Sequence, residues 1–409
     1  MSGSFRKFNK PSSSSNIAER AIGLFTDENI TTACDCNAYC AQVKKGKDTE
    51  PGYTYTNILR SSFLSNYSKG SGQQAIDINK SGKNKTGSSL EAKPNHGKFS
   101  LSVKRAILQI QQFSKKYQIT KLAQEGHAVK YVFILTTWRS GSSFFGEALS
   151  SHPAIFYHYE PLMYLNMEEV SSSGKTFEDS FETLGNLSQC EYSKAKKYMN
   201  YIQHSWNVLT RNFKIQSQCM ELKEKCFDFV FLNTSCKIFP VQVFKLTRIR
   251  GQAAEELLKR FSNSKIIYLV RDPRAIYSSR MKVGWCPAQS PCGNTSLLCN
   301  DLEKDLAEIR TLQAKQAQNV HVVKYEHIAL NPKKNLNHIY KFIGLQWHAN
   351  VQKYLNEHIH TSSKDPMSTF KVSDKHIDQW KYTLANETIQ KVQEKCRDFM
   401  VKLEYEFMK

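Results

Sequence analysis

The sequence predicts an α/β protein in which a P-loop-like, mostly parallel β-sheet is flanked by helices within a single catalytic domain. Two observations support this fold class. From about residue 128 onward, short and continuously apolar segments alternate with helical stretches, a pattern typical of parallel strands covered on both faces. One of these strands also runs directly into a Gly/Ser loop followed by a helix start, which is how phosphate-binding loops are built.

Five segments have the composition of buried strands, and each lies next to a stretch with helical character. A helix is predicted from Ser143 to Ser150, and another in AAEELLKRF. The segment around Asn233 is also interpreted as a strand. The five strand segments are YVFILTT (131–137), AIFYHYE (154–160), VFKLTR (243–248), KIIYLV (265–270) and VHVVKY (320–325).

The first 125 residues differ in composition from the rest of the chain. They include the serine run Ser12–Ser15 and a long polar stretch at 69–98, so we expect 1–125 to be a low-complexity, disordered, stem-like region. Within it, 102–117 has the apolar spacing of an amphipathic helix leading into the catalytic domain, predicted at 126–409. The CDCNAYC segment (34–40) fits a disulfide or free thiols better than a zinc site.

Charge and modification signals constrain the partners and the compartment. The chain has 57 Lys and Arg against 37 Asp and Glu, a formal charge of +20, so its surface attracts polyanions. Its 11 cysteines would form disulfides in a secretory protein, whereas in a cytosolic one they would bind metal or be buried thiols. N-x-[ST] sequons favour a lumenal or extracellular compartment; they include those at Asn29, Asn66, Asn84, Asn186, Asn233, Asn294 and Asn386.

The first residues, MSGSFRKFNKPSSSSN, contain no apolar h-region, and no segment reaches the roughly 18 apolar residues of a membrane span. A lumenal protein needs a targeting segment. We therefore expect the natural N-terminus to be missing from this sequence or to be wrongly predicted. Membrane association would then occur only through an anchor that this sequence does not contain.

The loop after the first strand has the parts of an anion cradle. It consists of Thr137, Trp138, Arg139, Ser140, Gly141, Ser142 and Ser143. Gly141 permits close backbone approach, the following helix offers unpaired N–H groups, the serines add hydroxyl donors, and Arg139 adds a planar cationic group. An ordinary strand-to-helix turn capped by serine is the alternative.

A second candidate anion site lies in KIIYLVRDPRAIYSSRM. Arg271 emerges at the carboxyl end of a strand, where open α/β sheets bind ligands. Asp272 can cap a helix that Pro273 begins, and Ser279 lies about two turns into that helix. The alternative is a structural pair between Arg271 and Asp272. Arg271 and Ser279 can bind one anion only if Arg271 lies across the helix start.

Two other classes of protein agree less well with the sequence. A P-loop kinase or NTPase would need a loop lysine, and GxxxxGK[ST] is absent. A basic polyanion-binding protein that recognises nucleic acid would group its Lys and Arg near aromatic stacking positions, whereas here they are spread along the chain. We expect no nucleic-acid partner and no metal.

Five blocks, in order over about residues 130–405, resemble the Golgi carbohydrate sulfotransferases, closest to the branch that sulfates the 6-hydroxyl of GlcNAc, Gal or GalNAc. TTWRSGSSF is similar to the family's RTGSSF, FYHYEPL to FYLFEPL, and LVRDPRAIYSSRM to LVRDPRAVxxSRx. VVKYEHIALNPKKNLNHIYKFIGL and STFKVSDKHIDQWKYTL resemble two later family blocks. The chain departs from the family pattern at Trp138 and Ser140, changes that affect the acceptor side of the loop.

The resemblance implies transfer of a sulfuryl group from PAPS, without a metal, to a glycan or glycosaminoglycan such as keratan or chondroitin sulfate. It implies a glycoprotein of the Golgi lumen. Residues 139–143 would hold the 5′-phosphosulfate of PAPS, Arg271 and Ser279 its 3′-phosphate, and PAP would be the product. Arg139 and the loop amides would stabilise charge on the sulfuryl group.

The reaction also needs a base near the acceptor hydroxyl. We expect Glu160, which ends the strand 155–159; the strand is expected to lie beside the phosphate loop. His158, on the same face by strand alternation, is the competing base, and the resemblance favours Glu160. Glu147 is expected to be structural. For Cys286, Cys292 and Cys299, a disulfide among them, or to Cys236 or Cys396, is favoured over zinc.

Overall fold

The computed structural model describes residues 100–358, 369 and 377–409. Within them, five parallel strands form one sheet in the order β2-β3-β1-β4-β5. All five are almost wholly buried except β5, which lies at one edge. The strands are β1 Tyr131–Leu135, β2 Ile155–Tyr159, β3 Val241–Leu246, β4 Ser264–Val270 and β5 Val320–Lys324.

Helices connect the strands and cover the sheet. The helices that precede β4 are α1 Leu101–Tyr117, α2 Ile119–Glu125, α3 Ser142–Ser150, α4 Lys175–Ser188, α5 Lys196–His204, α6 Asn207–Thr210, α7 Gln216–Leu222, α8 Phe229–Lys237 and α9 Ala254–Arg260. The helices that follow β4 are α10 Pro273–Arg280, α11 Thr295–Lys315, α12 Tyr325–Leu330, α13 Pro332–Ile343, α14 Ala349–His358, α15 Trp380–Thr383, α16 Asn386–Lys395 and α17 Arg397–Lys402.

The hydrophobic core lies on both sides of the sheet. Helix α3 packs on β2 and β3, while α9 packs on β4 and α11 on β5. The predicted amphipathic helix is present as α1, and it buries Val103, Ala106 and Ile110 in this same core. The core therefore includes side chains that precede residue 126. The serine run and the CDCNAYC segment lie outside the described residues.

The strand order creates a crevice in the middle of the sheet. From β1 the chain crosses to β2 at one edge and returns through β3, whereas β4 pairs with the other side of β1 and leads on to β5. The connections that leave β1 and β4 therefore run in opposite directions. Ligands bind in open α/β sheets at the carboxyl ends of two such strands. The two predicted anion-binding elements are the segments that follow β1 and β4.

The five predicted strands and the parallel sheet are confirmed, but the strand predicted around Asn233 is wrong. Asn233 lies in α8, because Asp228 caps that helix through the N–H groups of Val230 and Phe231. Strand β3 lies between β2 and β1, a strand order that the sequence did not indicate. A continuous apolar run identifies a buried strand, but it does not specify the neighbouring strand.

Four disulfides cross-link the described residues, and the prediction for the late cysteines is confirmed. They join Cys190 to Cys236, Cys219 to Cys226, Cys286 to Cys292, and Cys299 to Cys396. In the described ranges, no helix combines the length and the apolar character needed to cross a bilayer.

Candidate active site

The phosphate loop joins β1 to α3 and has a backbone that few sequences can adopt. Gly141 caps α3 at φ +83°, and a Cβ there would lie 2.2 Å from the ring of Tyr325. Glycine is therefore required both for the dihedral angle and for the close approach of the ring. Arg139 also has a positive φ, +71°, which a non-glycine residue adopts only when its surroundings hold it there.

The loop hydroxyls divide into buried and accessible ones. Ser140 is fully buried, and its hydroxyl bonds to the Thr136 hydroxyl and to the Thr137 carbonyl, so it holds the loop in shape from below. Ser142 is buried at the start of α3. Ser143 is half-buried, and its hydroxyl accepts a hydrogen bond from Lys245 Nζ at 3.1 Å.

The second element begins at Asp272, which caps α10 by accepting the N–H of Arg274, with Pro273 in the first turn. Asp272 also accepts two hydrogen bonds from the Arg274 guanidinium, at 3.0 and 2.7 Å. The structural pair at this helix start is thus Asp272 with Arg274. The alternative interpretation of Arg271, as the partner of Asp272, is wrong.

The two predicted elements meet at the crevice between β1 and β4. Arg139 Nε donates to Ser279 Oγ at 3.0 Å, and Arg271 Nη1 donates to the carbonyl of Arg139 at 3.0 Å. The structure therefore brings together Arg139, Arg271 and Ser279. Arg271 makes its contact with the phosphate loop, and Arg139 of that loop makes its contact with α10.

Arg271 has the surroundings expected of an anion ligand. Its side chain is buried and its guanidinium lies 4.7 Å from the centroid of the Tyr325 ring. Its Nε has no hydrogen-bond partner among the described residues. A buried N–H donor without a partner is costly, and a phosphate oxygen would satisfy it. This donor, with the N-terminus of α3 beside it, fits a phosphorylated nucleotide such as PAPS.

Arg280, which sequence reasoning missed, braces the loop from α10. It donates to Thr137 Oγ1 at 2.7 Å and to the Cys292 carbonyl at 2.9 Å. Its guanidinium lies 5.9 Å from the Trp138 ring centroid, and the guanidinium of Arg248 lies 5.7 Å from it. Burial lowers the pKa of Arg280 to about 10, so it remains cationic at neutral pH. Trp138 is thus an indole flanked by two cations.

Glu160 lies in a buried network at the end of β2. Its carboxylate accepts from Lys245 Nζ at 2.7 Å, from Arg248 Nη1 at 2.9 Å and from Thr247 Oγ1 at 3.1 Å. Burial alone would raise the pKa of Glu160. The charges and hydrogen bonds of Lys245 and Arg248 outweigh that effect and lower its pKa to about 2.

Glu160 is linked to the phosphate loop through Lys245. Strand β3 separates β2 from β1, and Lys245 on β3 spans the gap between Ser143 and Glu160. Glu160 has φ +43°, so the strand alternation that placed it on the same face as His158 ends there.

His158 faces the core and is not brought to the site. Its Nε2 is 3.0 Å from Gln242 Oε1, and its ring stacks on Phe244 with centroids 4.2 Å apart. Burial lowers the pKa of His158 to about 4. Glu147 pairs with Arg211 and accepts from Thr369 Oγ1 at 2.9 Å, in the structural role expected of it.

Lys245 and Arg248 are the other residues at the site that sequence reasoning missed. One signal for them existed. Both stand in the strand segment VFKLTR, where the two charged residues interrupt an otherwise buried run. Lysine and arginine are almost never fully buried unless they are paired. Lys245 is 2% exposed, so its position required a partner, which is Glu160.

A family model described as the sulfotransferase family matches residues 132–349, from β1 to the start of α14. The chain belongs to the sulfotransferase family. The matched region contains both predicted anion-binding elements, Glu160 and Lys245. The predictions of the family and of a sulfuryl-transferring enzyme are confirmed.

Curated relatives of this sulfotransferase carry carbohydrate names. Mouse carbohydrate sulfotransferase 4 is 25% identical over 332 residues, which are 69% of this chain and 83% of the relative. Mouse carbohydrate sulfotransferase 1 is 24% identical over 345 residues, 70% of this chain and 83% of the relative.

Solved structures resemble this sulfotransferase only distantly. The sulfotransferase domain of the Synechococcus PCC 7002 olefin synthase covers 68% of this chain and aligns over 96% of its own, with 16% identity and a TM-score of 0.42. Mouse sulfotransferase SULT7A1 complexed with PAP covers 72% of this chain and aligns over 92% of its own, with 13% identity and a TM-score of 0.35.

Proposed function

We propose that this sulfotransferase transfers the sulfuryl group of PAPS to a carbohydrate hydroxyl, specifically the 6-hydroxyl of GlcNAc, Gal or GalNAc in glycans or glycosaminoglycans such as keratan or chondroitin sulfate. One observation carries the proposal: the loop after β1 and the helix after β4 meet through Arg139, Ser279 and Arg271. Two anion-binding elements in contact suit a donor with phosphates at both its 5′ and 3′ positions. The names of the curated relatives support a carbohydrate acceptor.

The proposed donor site follows from the chemistry of these side chains. Arg139, the hydroxyl of Ser143 and the first N–H groups of α3 hold the 5′-phosphosulfate, because a helix N-terminus and a guanidinium both favour anions. Arg271 and Ser279 hold the 3′-phosphate. Ser140 serves the same loop from below by fixing its backbone. Thr137, Trp138, Gly141 and Ser142 complete the loop.

The proposed reaction is an in-line displacement. PAPS supplies an activated sulfuryl group, whose S–O bond to the 5′-phosphate breaks while the acceptor oxygen forms a new S–O bond. The acceptor proton passes to Glu160, and the departing phosphate oxygen keeps the electron pair of the broken bond. Arg139 and the amides of α3 stabilise the charge that develops on the transferring group and on the leaving phosphate.

We also propose that 126–409 is the catalytic domain, with α1 and α2 packed against it, and that the region before them is a stem. Work in the Golgi lumen is consistent with the four disulfides. Asn294 and Asn386 are exposed sequon positions at helix starts, whereas the Asn233 side chain accepts the Tyr192 N–H. Secreted material should therefore carry glycans at Asn294 and Asn386 and leave Asn233 bare, which peptide mass spectrometry would decide.

The activity is tested with radiolabelled PAPS against keratan, chondroitin and GlcNAc-terminated acceptors, followed by position analysis of the labelled sugar. We expect label at a 6-hydroxyl and retention of the protein on immobilised PAP. Arg139→Ala should abolish transfer. Product formation that depends on ATP would instead support a kinase, and label at another hydroxyl would overturn the assigned position.

A further inference from the structure

The phosphate loop of this protein lacks a lysine, yet an ammonium group lies next to it. Residues 137–143 contain one cation, Arg139. Lys245 arrives from β3, the strand between β1 and β2, and its Nζ is 3.1 Å from Ser143 Oγ in the first turn of α3. The same Nζ is 2.7 Å from Glu160 Oε1 and 4.3 Å from the Tyr159 ring centroid.

Two features indicate that this placement is more than a buried ion pair. Glu160 already has a second cation, since Arg248 Nη1 binds its other oxygen at 2.9 Å. Lys245 also has a partner outside the ion pair, because its ammonium donates a hydrogen bond to the Ser143 hydroxyl of the loop. An ammonium has three donors on a flexible stem, so a change of rotamer can move it from the carboxylate toward the loop.

We propose that Lys245 is a further catalytic residue, which donates hydrogen bonds to the sulfuryl oxygens of the donor and thereby leaves Glu160 to accept the proton of the acceptor hydroxyl. This inference rests on the proposed function. Lys245 keeps its own proton throughout. The acceptor proton goes to Glu160, the acceptor oxygen bonds to sulfur, and the phosphate oxygen leaves with its electron pair.

The arrangement resolves a conflict at Glu160. A carboxylate held by Lys245 and Arg248, with its pKa near 2, is a weak base at neutral pH. Turning Lys245 toward the sulfuryl group removes one of these cations and raises the basicity of Glu160. Binding of the donor thus raises the basicity of Glu160. Before the donor is bound, the Glu160 carboxylate remains paired with Lys245.

The test compares two ligands that differ only in the sulfuryl group. Wild-type protein, Lys245→Met and the control Lys265→Met are titrated calorimetrically with PAP and, without acceptor, with PAPS. Lys265 is a strand lysine at the amino end of β4, where its ammonium binds the Phe342 carbonyl. We expect Lys245→Met to lose about 10- to 100-fold in PAPS affinity and about 100- to 1,000-fold in kcat, while its PAP affinity changes less than about twofold. Lys265→Met should match the wild type.

A double variant separates contact with the donor from positioning of the base. If Lys245 acted only through Glu160, adding Lys245→Met to Glu160→Gln would leave PAPS affinity unchanged, and the proposal would be overturned.

If Lys245→Met does not fold, Lys245→Gln, which can still bond to Glu160, replaces it. It is expected to show the same loss of PAPS affinity with PAP affinity retained. Equal losses for PAP and PAPS, or near-normal kcat, would also overturn it. A wild-type protein that binds neither ligand would overturn the proposed function together with this inference. Lys245 variants whose affinities for PAP and PAPS both equal those of the wild type would overturn the inference alone.

Discussion

Arg139 and Ser279 are 140 positions apart in the chain, and a hydrogen bond of 3.0 Å from Nε to Oγ joins them across the crevice between β1 and β4. The bond links the two segments that were expected to bind the two ends of a nucleotide. A second hydrogen bond, from Arg271 to the Arg139 carbonyl, joins the same two segments.

Arg271→Ala should weaken PAP and PAPS binding by about 10- to 150-fold, the cost of a charged hydrogen bond of about 1.5 to 3 kcal/mol. The effect should be nearly equal for both ligands, because Arg271 is assigned to the 3′-phosphate that they share. Calorimetry measures it. Arg310→Ala, on the exposed side of α11, is the control and should bind normally. Unchanged PAP affinity in Arg271→Ala would refute the assignment.

Glu160→Gln should lower kcat by about 100- to 10,000-fold, the usual cost of losing a general base, with PAP affinity close to normal. Two cations then remain buried without their carboxylate, so the melting temperature should also fall. Steady-state kinetics at a temperature where the variant is folded separates the two effects. His158→Phe keeps the ring stacking and should retain most of the turnover. Near-normal kcat in Glu160→Gln would remove it as the base.

The strands, the loop after β1 and the start of α10 could be predicted because each has a local signal: an apolar run, a Gly/Ser segment, or a cap followed by proline. The neighbours of β2 could not be predicted, since strand order depends on how whole layers pack. That limit hid Lys245, whose contacts with Ser143 and Glu160 exist only because β3 lies between β1 and β2. A separate error placed His158 and Glu160 on the same face, because strand alternation was extended to Glu160, which follows the strand with a positive φ.

Folding stability should fall as the pH drops below about 6.5. Burial lowers the pKa of His152 to about 3 and that of His158 to about 4, while an unfolded histidine titrates near 6.5. Between those values the unfolded chain binds more protons, so stability rises with pH and is lost as pH falls. The loss should be about 1.4 kcal/mol per histidine at pH 5.5. Urea unfolding at pH 7.5, 6.5 and 5.5 measures it.

The control for this pH dependence is His204→Gln, at an exposed position on α5, which should keep the full slope. His158→Phe should reduce the slope even though it lowers stability at every pH, since Gln242 loses its partner. A variant slope equal to that of the wild type would show that His158 is not the titrating group.

The disulfides should differ in their effect on stability according to the loops that they close. Cys299 and Cys396 are 97 residues apart, whereas Cys286 and Cys292 are 6 apart. In the chain-entropy model, removing the first pair as a double alanine variant costs about 4 to 5 kcal/mol and removing the second costs about 2 kcal/mol. Denaturant titration gives both values. Equal losses, or the reverse order, would contradict the loop-length argument.

The indole of Trp138, with the guanidinium groups of Arg248 and Arg280 on it, gives the phosphate loop an optical reporter of its own. Indole emission responds to nearby charge, and an anion bound between Arg139 and Arg271 would change the electric field at this ring. The chain contains four other tryptophans, so a version in which those four are phenylalanine would emit from the loop alone. Donor binding could then be followed in real time by stopped-flow fluorescence, without a label.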